Sequence, residues 1–237
     1  MLISSFSAIL LAPALSLGNT KEKADSLPAA GLLSYTNKKG NIKTVRTSNE
    51  WQVRRRQILD SMQAAMGKLP ARKHLPPLNI QILDSLKTRS YIRYNIRFTV
   101  AAHETLPAFL YVPVQAGKKK KLPAMLALHP TGDLGKKITD GQGPLSNRAY
   151  AKELAERGYV VIAPDYPGYG DLKDYDFRTD RYQSGTIKSI FDNMRCVDLL
   201  QSRPDVNPDK IGVIGHSLGG HNAIFAGAFD SRLKVIV

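Results

Sequence analysis

Residues 215–219 read G-x-S-x-G, directly after the apolar run of residues 211–214 and directly before a helical stretch of small residues. A serine in this context stands on a tight turn between a strand and a helix, where the backbone is strained and packs closely on neighbouring strands. Such a turn requires small residues, which Gly215 and Gly219 supply. The pattern therefore predicts a strand-turn-helix unit with Ser217 raised at the end of the strand.

Ser217 is also a candidate nucleophile. The same turn points the backbone N–H of Leu218 and the positive end of the following helix at the place where an oxyanion would develop. Acyl transfer is the chemistry that needs a serine beside such donors. No phosphate-binding G-x-G-x-x-G or Walker pattern is present in the sequence.

The hydrophobic pattern changes along the chain from antiparallel to parallel strands. Residues 91–100 alternate apolar and polar side chains, which predicts a half-buried antiparallel strand, and two more strands are expected at residues 109–114 and 124–128. Beyond Leu128, short continuous apolar runs alternate with helical segments, which is typical of parallel strands buried on both faces. The runs lie at residues 159–163, 211–214 and 233–237, and the helices open at Ser146 or Asn147, at Ser184 and after Ser217. We expect a mostly parallel, doubly wound sheet that begins with antiparallel strands.

The region before this sheet divides into two predicted parts. Residues 1–18 are apolar and uncharged and end in small residues, which predicts a signal peptide and an exported protein; without a signal the protein would be cytoplasmic. The stretch is too short for a stable membrane span. Residues 19–85 are interpreted as a linker and an accessory helix, capped by Ser48 or Asn49 and running to about Met66. The main domain is expected at residues 86–237.

A net charge of +14 raises the question of a nucleic-acid partner. The excess is spread evenly, with 12 basic and 5 acidic residues in 1–85 and 22 basic and 15 acidic residues in 86–237. The densest cluster, residues 118–121, is interpreted as a solvated hairpin turn. Without a basic helix or a recognised binding motif, we expect no nucleic-acid partner. Cys196 is the only cysteine, which excludes an intrachain disulfide and favours a buried thiol.

Residues 86–237 resemble the α/β-hydrolase fold from its first strand through its sixth. Leu-His-Pro-Thr-Gly at 128–132 is similar to the oxyanion loop after the third strand, and Asp-Tyr-Pro-Gly-Tyr-Gly at 165–170 to the loop after the fourth. Residues 215–220 are similar to the nucleophile elbow. Together these segments resemble the dienelactone hydrolase and acetyl-xylan esterase branch, which cleaves carboxylic esters without a cofactor. The resemblance implies a small-molecule or carbohydrate ester as substrate and no bound metal.

The resemblance also implies roles for individual residues. Ser217 matches the nucleophile, and the backbone N–H of Leu218 matches one oxyanion donor. The second donor comes from the loop after the third strand, where Pro130 has no N–H to give, so Thr131 is the candidate and Gly132 is the alternative.

Two polar residues near the site are interpreted as structural. His129 is expected to brace its loop by hydrogen bonds, and Asp165 is expected to hold the following turn together. The acidic and aromatic stretch of residues 171–182 stays open between a pocket lining and a surface excursion.

A serine hydroxyl needs a histidine base oriented by a carboxylate, and in this fold the chain order is serine, acid, histidine. His221 is the one histidine after Ser217, and it lies four residues along the same helix, where it is expected to pack beside the elbow. The acid after the seventh strand and the histidine after the eighth are therefore expected beyond Val237. The chain is interpreted as a fragment without its C-terminal strands, inactive and poorly soluble in isolation.

Two other functions stay open. A serine peptidase of the prolyl-oligopeptidase type shares the fold and the elbow, although Leu218 stands where those peptidases tend to place an aromatic residue. A non-catalytic binding protein could instead keep the fold without the chemistry.

Overall fold

The computed structural model describes residues 31–116 and 121–237, and the chain divides into two compact units between Arg54 and Arg55. In the first unit, strands β1 (Ser34–Thr36) and β2 (Ile42–Thr44) pair antiparallel. Helix α1 (Ser48–Met66) begins in this unit and ends in the second. The predicted signal at residues 1–18 lies outside the described residues, as do residues 118–120 of the predicted hairpin turn.

Helix α1 begins with a reciprocal pair of hydrogen bonds between Thr47 and Glu50. The N–H of Glu50 donates to Thr47 Oγ1 at 3.2 Å, and the N–H of Thr47 donates to Glu50 Oε2 at 2.9 Å. This arrangement is a capping box. The cap is therefore Thr47, and the prediction of Ser48 or Asn49 was wrong because the sequence alone does not show which of three adjacent polar residues has its side chain turned to the helix.

The second unit is built on a seven-stranded sheet with the order β3-β4-β5-β7-β6-β8-β9. The neighbouring pairs β3/β4, β4/β5 and β5/β7 are antiparallel, and β6/β7, β6/β8 and β8/β9 are parallel. The strands are β3 (Gln81–Lys87), β4 (Tyr91–Ala101), β5 (Glu104–Pro113), β6 (Leu122–Leu128), β7 (Val160–Pro164), β8 (Val206–Gly215) and β9 (Leu233–Ile236). The carboxyl ends of β6, β7 and β8 meet at one edge of the sheet, where the loops with the candidate residues begin.

Helices α2 (Tyr150–Glu156), α3 (Gly185–Ser202) and α4 (Leu218–Phe229) connect the parallel strands and pack on the sheet. On β6, Leu126 belongs to a core that includes Phe191 of α3 and Ala223 of α4, whereas the adjacent Met125 belongs to a second core with Ala151 of α2. Because the strand is buried on both faces, it reads as one continuous apolar run. The predicted doubly wound, mostly parallel sheet with antiparallel strands at its start is confirmed.

Strand β3 is an element that the hydrophobic pattern did not predict. Each of its seven residues is exposed, and the strand lies at the edge of the described sheet, beside β4. A strand with no buried face carries no alternation of apolar and polar residues. The predicted domain start at residue 86 falls inside this strand.

Candidate active site

The end of β8 and the start of α4 are joined by a strained turn at Ser217. Its backbone has φ of 55° and ψ of −118°, which only a few per cent of non-glycine residues approach and which costs about 1–3 kcal/mol. The Ser217 side chain is exposed and makes no capping hydrogen bond to α4. Within the described residues the hydroxyl group therefore has no hydrogen-bond partner, and it stands at the carboxyl end of strand β8.

The glycine before the serine is required by close backbone packing. A β-carbon on Gly215 would lie 2.1 Å from the carbonyl oxygen of Gly219, in the first turn of α4. Real β-carbons do not approach an oxygen so closely. The first glycine of the motif therefore lets the helix fold back directly over the end of the strand.

A cavity of about 500 Å³ brings Ser217 and Thr131 together. One wall is the loop after β6, and the other is the turn before α4. The lining residues are Pro130, Thr131, Gly132, Asp133, Leu134, Ile138, Pro144, Leu145, Arg148, His216 and Ser217. Its size suits a small organic substrate or one end of a larger one.

The two candidate oxyanion donors have N–H groups that are not used elsewhere in the described structure. Within residues 31–116 and 121–237, the N–H of Thr131 donates no hydrogen bond, and neither does the N–H of Leu218. Leu218 is the first residue of α4, where an N–H has no intrahelical partner. Both groups are therefore available to a ligand.

His129 braces the loop after β6 by hydrogen bonds, as predicted from the sequence. The N–H of Tyr166 donates to His129 Nε2 at 3.2 Å, so Nε2 is unprotonated, and Nδ1–H donates to the carbonyl oxygen of Pro130 at 2.7 Å. The ring is fully buried, and this burial lowers the pKa of His129 below its usual value. His129 is thus a neutral link between the loops after β6 and β7.

Asp165 holds the turn after β7, also as interpreted, and it has a partner that the sequence did not indicate. Its Oδ2 atom accepts a hydrogen bond from the N–H of Asp171 at 3.0 Å. The same oxygen pairs with Lys136 Nζ at 2.5 Å, and both side chains are buried. A single lysine in a polar loop gives no sequence signal of burial, because lysine is almost always exposed.

One residue of the stretch 171–182 lines a cavity, and the choice between a pocket lining and a surface excursion stays open. Phe177 lines a second cavity of about 500 Å³ with Tyr166, Leu218, His221 and other residues. This cavity is lined by Leu218 and not by Ser217, and it shares no lining residue with the first cavity.

The described residues do not supply a proton acceptor for Ser217. None of their histidines or carboxylates makes a hydrogen bond to its hydroxyl. His221 is exposed on α4, with its ring in a T-shaped contact with Phe225 at a centroid distance of 4.3 Å. In the part of the chain that the structure covers, no three metal-ligating side chains gather into a cluster, and no helix is both long and apolar enough to cross a membrane.

Several known proteins are similar to this chain. Residues 141–237 match the family model described as the α/β hydrolase family. YtaP of Bacillus subtilis, a protein assigned as a hydrolase, is 31% identical over 182 residues, which cover 73% of this chain and 59% of YtaP. A protein of Saccharomyces cerevisiae assigned as a carboxymethylenebutenolidase is 33% identical over 140 residues, which cover 54% of this chain and 47% of that protein.

The fold is also that of solved esterase structures. A glucuronoyl esterase from Solibacter usitatus superposes with a TM-score of 0.62 at 22% identity, over 86% of this chain and 61% of the esterase. The chain therefore spans less than two thirds of the length of each of the three proteins compared.

Proposed function

The chain belongs to the α/β-hydrolase superfamily, and on this basis we propose that the protein is a serine-dependent hydrolase of carboxylic esters. The observation that carries the proposal is the strained backbone of Ser217, which holds a free hydroxyl beside Thr131 in one cavity. Strain at a non-glycine residue persists where the fold enforces it and is concentrated at functional sites. The resemblance to the carboxymethylenebutenolidase supports an ester as the substrate class.

The proposed reaction proceeds through an acyl-enzyme. Ser217 Oγ attacks the ester carbonyl carbon, and the electron pair of the carbonyl moves to its oxygen. The N–H groups of Leu218 and Thr131 hold that oxyanion, and each lowers the barrier by about 3–4 kcal/mol. Collapse of the tetrahedral adduct releases the alcohol, and a water molecule then hydrolyses the acyl group from Ser217 by the same route.

A histidine base takes the proton of the Ser217 hydroxyl and gives it to the leaving alcohol. The resemblance implies that this base follows the eighth strand of the fold and that its carboxylate partner follows the seventh, and neither group is found beside Ser217 among the described residues. The experiments on activity therefore use the protein expressed from its complete reading frame.

A fluorescent fluorophosphonate tests the proposal, because it labels only a serine that a base has activated. Wild-type protein should be labelled, and Ser217→Ala should not. Ser146→Ala is a matched control, since Ser146 is an exposed serine outside the cavity lining and its loss should leave labelling unchanged. Absence of labelling in folded wild-type protein would favour a non-catalytic binding protein.

The substrate and the location of the protein are proposals of the same kind. We expect hydrolysis of small-molecule or carbohydrate esters, and a higher rate on ester than on peptide chromogenic substrates would separate this function from a serine peptidase. The apolar residues 1–18 support export, which N-terminal sequencing of the secreted or periplasmic protein would test.

A further inference from the structure

We propose that Asp165 and Lys136 are positioning residues that hold the Thr131 oxyanion donor in place. The inference rests on the proposed function, because it assigns a task to two residues that do not line the cavity with Ser217. Both side chains are buried, at 1% exposure each, and Lys136 belongs to the loop that forms one wall of that cavity.

The Asp165 carboxylate is enclosed by the two loops that it joins. Its Oδ1 atom accepts a hydrogen bond from the N–H of Lys136 at 2.7 Å, and its Oδ2 atom accepts from Lys136 Nζ at 2.5 Å. A β-carbon on Gly135 or on Gly170 would lie 2.2 Å from Oδ1, and both glycines have positive φ. The carboxylate therefore fits a space that the backbone of both loops leaves free for it.

Lys136 completes the link by pairing with a second carboxylate. Its Nζ atom lies 2.6 Å from Asp171 Oδ2, so one buried ammonium group joins both ends of the turn after β7 to the loop after β6. A buried charge is held firmly when its partners satisfy it from fixed directions. The cluster is well suited to fix the distance between the two loops.

The position of Thr131 depends on such links because its own N–H makes no hydrogen bond within the described residues. The loop is attached on either side of Thr131, at His129 by the N–H of Tyr166 and at the Asp133 carbonyl by the N–H of Gly170 at 3.1 Å. The pair of Lys136 with Asp165 is the third attachment, and it holds the loop at Lys136, three residues after Asp133. An error of 1 Å in a group that acts on the transition state can lower a rate by about 100-fold.

Asp165→Asn tests the proposal, because the amide that replaces Oδ2 would face the ammonium group of Lys136. We expect kcat per labelled active site to fall by about tenfold or more, while KM changes by less than about twofold, since the oxyanion forms only after the substrate binds. A trifluoromethyl ketone, which adds Ser217 Oγ and places an oxyanion in the same site, should bind about tenfold more weakly.

Asp171→Asn gives a second, milder variant in case Asp165→Asn does not fold. Asp171 is partly exposed, and its loss leaves the pair between Lys136 and Asp165 intact. We expect kcat to fall by about threefold and the affinity for the ketone to fall by the same factor, about threefold. KM should not change.

Asp198→Asn is the matched control for a merely structural effect. Asp198 accepts hydrogen bonds from Arg72, Arg195 and Arg232, and it lines neither cavity at the elbow. This variant should lower the melting temperature yet keep the wild-type kcat per labelled site and the wild-type affinity for the ketone.

The outcomes separate the two proposals. If Asp165→Asn and Asp171→Asn keep the wild-type kcat and ketone affinity, or lose them only as far as Asp198→Asn does, the positioning role is wrong and the proposed function stands. If the wild-type protein itself is not labelled at Ser217, both proposals are overturned.

Discussion

Gly219 lies against the carbonyl oxygen of Leu128, so that a β-carbon on Gly219 would be 1.9 Å from that oxygen. Leu128 ends β6, and Gly219 is in the first turn of α4. The start of the helix is therefore packed directly on the backbone of the neighbouring strand. This contact sets how close the Ser217 turn comes to the loop with Thr131.

Gly219→Ala should destabilise the protein by about 3 kcal/mol or more, because neither backbone can move without disturbing the sheet or the elbow. Gly220→Ala is the matched control, since its β-carbon would lie 3.3 Å from the Gly215 carbonyl oxygen, a contact that small shifts relieve. Alanine also favours the helix there, so the free energy of unfolding should change by less than about 1 kcal/mol. Urea unfolding measures both, and equal stabilities would contradict the prediction.

Ser217→Gly should be more stable than Ser217→Ala. Glycine adopts the positive φ of this position without strain, whereas alanine keeps the strain and loses the hydroxyl. Relief of about 1–3 kcal/mol is partly offset by the greater freedom of glycine in the unfolded chain, which leaves a difference of about 1 kcal/mol. Thermal unfolding of the two variants compares them directly, and a more stable alanine variant would show that the turn is relaxed.

Much of the second unit could be predicted because its signals are local. Ser184 caps α3, as predicted, by accepting a hydrogen bond from the N–H of Ile187 at 3.2 Å. Gly158 ends the helical segment before β7 with φ of +90°. Caps, glycine stops and apolar runs are read from a few adjacent residues, so they need no knowledge of the tertiary structure.

What the sequence could not show depends on contacts between distant segments. Lys136 is buried because two carboxylates that lie 29 and 35 residues further along the chain neutralise it. Strand β3 pairs with β4 through its backbone and through one hydrogen bond that Asn95 Nδ2 donates to Asp84 Oδ2 at 2.8 Å, and all side chains of β3 are exposed. The catalytic roles of Ser217, Leu218 and Thr131 stay predictions, because the structure gives the positions of these groups, whereas a catalytic role is shown by a measured change in rate.

His129 should make stability decrease as the pH falls below 6.5. Burial lowers its pKa in the folded protein, so between the folded and unfolded pKa values the unfolded chain binds a proton that the folded chain does not. The folded state is therefore at its full stability above pH 6.5, where His129 is neutral in both states. The free energy of unfolding decreases as the pH falls from 6.5 to the lower pKa of His129 in the folded protein. In His129→Gln, the free energy of unfolding should depend less on pH between 7 and 5, as measured by urea titrations.

The exposed His221 provides the control for that experiment, because His221→Gln removes a histidine from the helix surface without touching a buried loop. A loss of slope in His129→Gln that His221→Gln reproduced would not come from the buried ring of His129. An unchanged slope in His129→Gln would mean that His129 is not held neutral by burial.

Asp198 should contribute stability that is lost in acid. Burial raises the pKa of this carboxyl, but hydrogen bonds from Arg72, Arg232 and Arg195 outweigh that effect and lower it below the usual 3.8. The stabilisation is thus present above about pH 4 and disappears as the pH falls through the lowered pKa. Asp198→Asn should cost about 2 kcal/mol at pH 7 and flatten the loss of stability between pH 4 and 2. Asp176→Asn is the control, because it removes an exposed pair with Arg178 and should leave the stability at pH 7 unchanged. Equal effects of Asp198→Asn and Asp176→Asn would contradict the stabilising role of Asp198 and its arginine partners.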